Sequence, residues 1–165
     1  MTSRNASLSD LVALLRCQHD AKLDVVAPAR DLRMNGGDLR IDGIGEPTIT
    51  LEGVTPAHGV FRPTVTCDGG IADKLGIPPQ YLRRMREAQV ALLDHNVNTW
   101  LAEEPSKRYL IRTLRGQGDQ PGIARALLSE KYKITDNLDV LMSVLEGIRR
   151  TGVHTEISRC DLTEK

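Results

Sequence analysis

The sequence reads as an α+β protein: an antiparallel sheet with a central hairpin, and helices packed on one face of it. Three observations predict this. Between residues 22 and 66, short apolar runs are broken by Pro28, Gly36, Gly37, Gly43, Gly45, Pro47, Gly53, Pro56 and Gly59, the punctuation of strands and turns. From about residue 70 to 104, apolar residues recur at spacings of three and four, a helical period. Two further apolar runs, 109–114 and 123–128, flank the glycine- and proline-bearing segment 115–122, which suits a looped hairpin.

Taken in order, residues 7–16 form a short helix, with Ser7 placed to cap it and Leu8, Leu11, Val12 and Leu15 on one face. Strands are expected near 23–26, 39–41, 49–51 and 60–65. In the central helical stretch Val90, Leu93, Val97, Trp100 and Leu101 mark a buried stripe, with Asp94, His95 and Asn98 facing outward. The hairpin over 109–128 follows as the centre of the fold. A last helix spans 136–150: Asp136 stands at its N-cap, Leu138, Leu141, Val144, Leu145 and Ile148 form its buried face, Arg149 and Arg150 sit at the negative end of its dipole, and Gly152 ends it. This helix and those near 70–102 are expected to cover the sheet. A strand over 153–158 completes a single domain, residues 1–165.

A chain of 165 residues, 40% hydrophobic and 27% charged, can bury a core. Its 22 basic and 22 acidic residues cancel, which excludes the whole-molecule attraction of a histone-like protein. Any nucleic-acid site must therefore be local. Cys17, Cys67 and Cys160, odd in number and far apart, suit free thiols in a reducing compartment, so the cytoplasm is the expected location. No segment approaches the ~20 apolar residues of a membrane span, and no membrane association is expected.

Motifs for chemistry are missing. The sequence lacks G-x-x-x-x-G-K-[ST], a G-x-G-x-x-G between strand and helix, H-E-x-x-H, paired C-x-x-C and G-x-S-x-G, while His19, His58, His95 and His154 are scattered. The expectation is a non-catalytic protein with no cofactor and no metal.

Two constellations point to nucleic acid. In residues 71–85, Ala72, Gly76, Ile77, Leu82 and Met85 have the spacing of a helix-turn-helix, whose second helix would present Gln80, Tyr81, Arg83, Arg84 and Arg86. The competing reading is a plain αα corner with Gly76 ending one helix and Pro78 or Pro79 opening the next. The second is arginine inside apolar strands. If Leu114 pairs with Ile123, Arg112 faces Arg125, an unfavourable pair unless carboxylates neutralise it or a phosphate occupies the site. Lys107, Arg108, Arg115, Lys131 and Lys133 would extend that surface, whereas Glu103, Glu130 or Asp136 would make the pair structural. With so few aromatic residues, contact to a DNA or RNA backbone would dominate over base stacking. Trp100 is expected in the core.

Four motifs stand in a recognisable order: Leu-Gly-Ile-Pro-Pro-Gln-Tyr-Leu (75–82), Asn-Val-Asn-Thr-Trp-Leu (96–101), Tyr-Leu-Ile-Arg-Thr-Leu-Arg-Gly (109–116) and Arg-Ala-Leu-Leu-Ser-Glu-Lys-Tyr-Lys (125–133), followed by Asp136 and Asn137. Over about residues 60–150 the chain resembles the phage/plasmid-like protein family of unknown function that includes the prophage proteins YfjQ and YafZ. The resemblance implies a mobile-element protein of a bacterial host cell, of which this chain would be either the N-terminal part of a longer form or a shortened relative. It supplies no catalytic residues.

The functional expectation is thus a phage or plasmid accessory protein that contacts nucleic acid through a local basic surface of Arg83, Arg84, Arg86, Lys107, Arg108, Arg112, Arg115, Arg125, Lys131 and Lys133. The opposing expectation is a protein–protein or self-assembly module whose arginines are structural and which forms a homo-oligomer.

Overall fold

The computed structural model describes residues 3–44, 48–51, 53–55, 58–116, 120–153, 156–157 and 160–162. Along the chain run β1 (Ser3–Ala6), α1 (Leu8–Ala21), β2 (Lys22–Pro28), a single 3-10 turn (Ala29–Asp31), β3 (Leu32–Asn35), β4 (Asp38–Asp42), β5 (Thr48–Thr50), β6 (Gly53–Thr55) and β7 (His58–Pro63). Three helices follow, α2 (Val65–Leu75), α3 (Pro79–Ala88) and α4 (Val90–Glu103), then β8 (Arg108–Leu114), β9 (Gly122–Ser129), α5 (Asn137–Thr151) and β10 (Cys160–Leu162). The fold class is α+β, as the sequence predicts. The chain forms two compact units, Lys22–Tyr132 and Met1–Ala21 with Lys133–Lys165.

The larger unit is built on a six-stranded sheet of order β2-β8-β9-β7-β4-β3. The β8–β9 hairpin lies at its centre, and Leu114 pairs with Ile123 as expected from the loop. The sheet is mixed rather than purely antiparallel, because β9 runs parallel to β7, with Phe61 opposite Gly122 and Pro63 opposite Ala124. The hairpin carries β9 back between β8 and β7, and the three helices bridge the long connection between those two strands. Such pairing joins segments some sixty residues apart, so local patterning does not announce it.

Alternation along the strands explains the core. Leu32, Met34, Leu39, Ile41, Phe61, Tyr109, Ile111, Ala124 and Leu127 point to one face and pack with Cys67, Ile71, Ala72, Ile77, Leu82, Met85, Leu93, Val97 and Leu101 of the helices. Each large side chain so buried contributes roughly 1.5–3 kcal/mol. Thr64 starts α2 by accepting from the Cys67 amide at 3.2 Å, and its own hydroxyl donates to the Arg125 carbonyl, fastening the helix to β9. Gly70 permits the close approach: a Cβ there would lie 2.4 Å from the Leu127 carbonyl oxygen. Gly76, left-handed at φ 67°, ends α2, and Pro79 opens α3.

The central helical stretch is therefore three helices, and the first begins before the Gly69–Gly70 pair. In α4, Leu93, Val97 and Leu101 are buried as expected, but Trp100 is 49% exposed and Val90 also reaches solvent. Asp94 and Asn98, expected outward, are turned to the sheet. Asn98 accepts from the Met34 amide at 2.7 Å and donates to its carbonyl at 2.9 Å, completing the outer edge of β3 as a neighbouring strand would. Asp94 accepts from the amides of Gly36 and Gly37, whose φ values of 61° and 82° make the two-residue hairpin turn between β3 and β4. Two polar residues at one helical repeat were thus needed at the sheet edge, which displaces the apolar stripe away from Trp100.

In the smaller unit α1 is capped by Ser7, whose hydroxyl oxygen accepts from the Asp10 amide at 3.1 Å, and α1 buries Leu11 and Leu15. The helix runs to Ala21, longer than expected. It packs against α5, and β1 pairs antiparallel with β10. The last helix, expected over the sheet, belongs to this unit instead, and none of its residues is fully buried. Gly152 ends it at φ 66°. Residues 153, 156 and 157 are not in a strand; 154–155 and 158–159 lie outside the described residues, and the strand observed is β10. Among the described residues no helix is long and apolar enough to cross a membrane.

Candidate nucleic-acid interface

Residues alternate with the core positions along every strand of the six-stranded sheet, and on the face away from α2, α3 and α4 they include ten charged side chains alongside uncharged ones. The charged ones are Lys22 and Asp24 on β2, Arg108 and Arg112 on β8, Arg125 on β9, Arg62 on β7, Asp38, Arg40 and Asp42 on β4, and Arg33 on β3. The apolar members between them include Leu110, Leu114, Val60 and Ile123.

At the inner end the expected arginine pair takes a different form. The register slips between Arg112 and Thr113, so that Arg112 lies opposite Ala126 and Thr113 opposite Ala124, leaving Arg125 as the extra residue of a bulge. The two guanidinium groups still converge, on Asp24. That carboxylate lies 3.2 Å from Arg112 Nε, 4.0 Å from an Arg125 terminal nitrogen and 3.5 Å from Lys22 Nζ. The Asp24 side chain is 8% exposed and that of Arg112 13%. Asp24, a neutralising carboxylate that local reading did not name, stands on the neighbouring strand β2 directly opposite Arg112. Glu130 instead pairs with Arg108 at 3.3 Å.

The outer half of the face is more open. Arg33 and Arg40 lie directly opposite each other on β3 and β4, and Arg62 follows on β7. Arg40 reaches Asp42 at 3.4 Å and Arg62 reaches Asp38 at 3.8 Å, both in exposed pairs, with the Arg62 side chain 70% exposed. Exposed pairs of this kind contribute about 0–1 kcal/mol. Arg33 also borders an open hollow with His95, Asn98, Thr99 and Glu103.

The remaining expected residues are dispersed. Arg115 is exposed and donates to the Lys22 carbonyl, while Lys131 and Lys133 are exposed beyond β9. Lys107 pairs with Glu104 at 2.5 Å, which raises its pKa, and its ammonium lies 5.9 Å from the Tyr109 ring centre. Arg83 and Arg84 are exposed on α3, where Gln80, Arg83, Arg84 and Glu87 form one stripe. Arg86 is a strut: it donates to Asp68 at 2.7 Å and to the Gly37 carbonyl at 2.8 Å, and its Nε lies 2.5 Å from Asp68 but off-line for a hydrogen bond. Burial raises the Asp68 pKa, an effect that Arg86 opposes.

The α2–α3 pair thus has the buried positions of either a helix-turn-helix or a corner, but α2 carries Asp68 and Asp73 where a first helix would meet phosphates. That favours the corner. Between α2 and α3 lies a cavity of about 190 Å³ lined by Val65, Asp68, Leu82 and Arg86, smaller than usual small-molecule sites of roughly 300–1,000 Å³. Cys67 beside it is pushed up to about 12 by burial and is no nucleophile at neutral pH. Among the described residues no three metal-binding side chains cluster.

Sequence reasoning missed Arg33, Arg40 and Arg62. Their signal was present: Leu-Arg-Met, Leu-Arg-Ile and Phe-Arg-Pro each set an arginine at the position alternate to a core residue. No protein-family model matches the chain, and neither a curated protein nor a solved structure matches it.

Proposed function

We propose that this chain binds nucleic acid along its phosphate backbone, without chemistry, through the arginine-bearing face of the six-stranded sheet, and that it is an accessory protein of the phage/plasmid-like family it resembles. One observation carries the binding reading: all six strands place a lysine or arginine on the same face, in a chain whose net charge is zero. Within that face the cations divide by role. Asp24 holds Lys22, Arg112 and Arg125 in place, while Arg33, Arg40 and Arg62 sit in exposed surroundings where a phosphate can displace a weak carboxylate contact. A guanidinium fork matches phosphate oxygens bidentately. Adjacent strands lie roughly 4.8 Å apart, so Arg33 and Arg40 are direct cross-strand neighbours, while Arg62 lies two residues along β7 from Val60, the partner of Arg40. The tyrosine of the central strands, Tyr109, is in the core, which leaves backbone contact rather than stacking as the source of affinity.

The test is fluorescence anisotropy with labelled single-stranded DNA, duplex DNA and single-stranded RNA over a range of salt. Binding should weaken steeply with salt, and each of Arg33→Ala, Arg40→Ala and Arg62→Ala should flatten the log–log slope by about 0.7–0.9. Absence of binding at low salt, or an unchanged slope in the triple variant, refutes the proposal.

A further inference from the structure

We propose that the hollow between α4 and the outer edge of β3 is a nucleobase site that selects an unpaired guanine, with Arg33 on its phosphate, His95 against its ring and Glu103 on its Watson–Crick edge. Such a site rests on the sheet-face reading of phosphate binding and adds to it a preference at one nucleotide.

The sheet edge builds the hollow. Asp94 accepts from the Gly36 and Gly37 amides and Asn98 from that of Met34, so β3 runs back along α4 as the helix runs forward. Arg33, the residue before Met34, therefore stands beside the next turn of α4. There the hollow, of about 670 Å³, is walled by His95, Asn98, Thr99 and Glu103, and the small side chain of Ala102 keeps it open. That volume is within the range of small-ligand sites, roughly 300–1,000 Å³. The whole of it belongs to the larger unit.

The polar groups around it divide into engaged and available ones. Both amide atoms of Asn98 are bound to the Met34 backbone, and the Thr99 hydroxyl donates to the His95 carbonyl at 2.8 Å. Arg33, His95 and Glu103 are exposed, and among the described residues their side chains make no ion pair and no hydrogen bond. Arg40 and Arg62, by contrast, each have a carboxylate, Asp42 and Asp38. An available cation, a flat ring and an available carboxylate thus line one hollow, and Arg33 joins it to Arg40 on the next strand.

The carboxylate chooses the base. An ionised carboxylate only accepts hydrogen bonds. Guanine carries two adjacent donors on its Watson–Crick edge, N1–H and the N2 amino group, which the two carboxylate oxygens can accept together. Adenine and cytosine place an acceptor nitrogen beside their amino group, and thymine and uracil flank their N–H with carbonyl oxygens, so each brings a lone pair against Glu103. A histidine ring stacks on a splayed base, and a guanidinium fork fits the phosphate. In a duplex the same edge of guanine is already paired, so the site takes a single strand.

Fluorescence anisotropy at one low salt concentration compares oligothymidylate with the same strand carrying a single central guanine, inosine or adenine. The guanine strand should bind about tenfold more tightly than oligothymidylate, with the same salt slope, because the phosphates are unchanged. Inosine, which lacks the N2 amino group, should lose about threefold, and adenine the whole gain. Glu103→Gln should bind all four strands alike, at the wild-type affinity for oligothymidylate. His95→Ala should lower the guanine preference and His95→Phe retain it. The base changes alter only the ligand, so they test the site without any variant. Equal affinity for the guanine and thymine strands, inosine equal to guanine, or a preference that survives Glu103→Gln overturns this site while the sheet-face reading stands. Absence of binding to every strand overturns both.

Discussion

Replacing Asp24 with asparagine keeps the side-chain volume and removes a carboxylate charge that Lys22, Arg112 and Arg125 approach. Asp24 and Arg112 are 8% and 13% exposed, so solvent screens their attraction only weakly. Removing one partner of a buried ion pair costs about 3–5 kcal/mol, chiefly because the other charge is stranded. Lys22 and Arg125, at 24% and 27% exposure, retain some access to water, which lowers the expected cost of Asp24→Asn to about 2–4 kcal/mol. Arg112→Gln is milder, about 1–2 kcal/mol, because Asp24 keeps Lys22 and Arg125 beside it. Equilibrium urea melts of the two variants measure the difference. The order of the two costs is the decisive result. A larger cost for Arg112→Gln, or a neutral Asp24→Asn, would mean that Asp24 does not organise the inner cations, and the division between anchored and available arginines would fail.

Two adjacent glycines of α2 should respond with opposite signs in thermal melts. Gly69→Ala, facing open space, should stabilise by about 0.5–1 kcal/mol, and Gly70→Ala, pressed on Leu127, should destabilise by about 2–3 kcal/mol. Asn98→Ala should cost about 2 kcal/mol and speed hydrogen exchange at the Met34 amide, since two hydrogen bonds at the sheet edge are lost; unchanged exchange would refute the edge-covering role. A thiol reagent at neutral pH should modify exposed Cys17 rapidly but Cys67 only as the protein unfolds. Because burial raises the Asp68 pKa, the folded state holds that proton more tightly than the unfolded one. The resulting stability is present below the ordinary value of 3.8 and is lost as pH rises through the raised value, so Asp68→Asn should remove this part of the pH dependence of the urea midpoint.

The sequence by itself determined the α+β class, the central hairpin and its Leu114–Ile123 pairing, the Ser7 cap and the stops at Gly76 and Gly152. These signals act within a few residues: a hydroxyl three positions from an amide, a glycine at positive φ, an apolar alternation. It also held the outer arginines in plain alternation with core residues. Only the tertiary structure decided which carboxylate meets Arg112 and Arg125, because Asp24 is 88 residues from Arg112 in the chain and the bulge at Arg125 shifts the local register. The same holds for the parallel β7–β9 pairing, for Asp94 and Asn98 turning inward to the β3–β4 hairpin, and for α5 grouping with α1 instead of with the sheet. In each case the deciding energy is a contact between segments far apart in sequence, and a pattern read along the chain contains the two partners without the geometry that joins them.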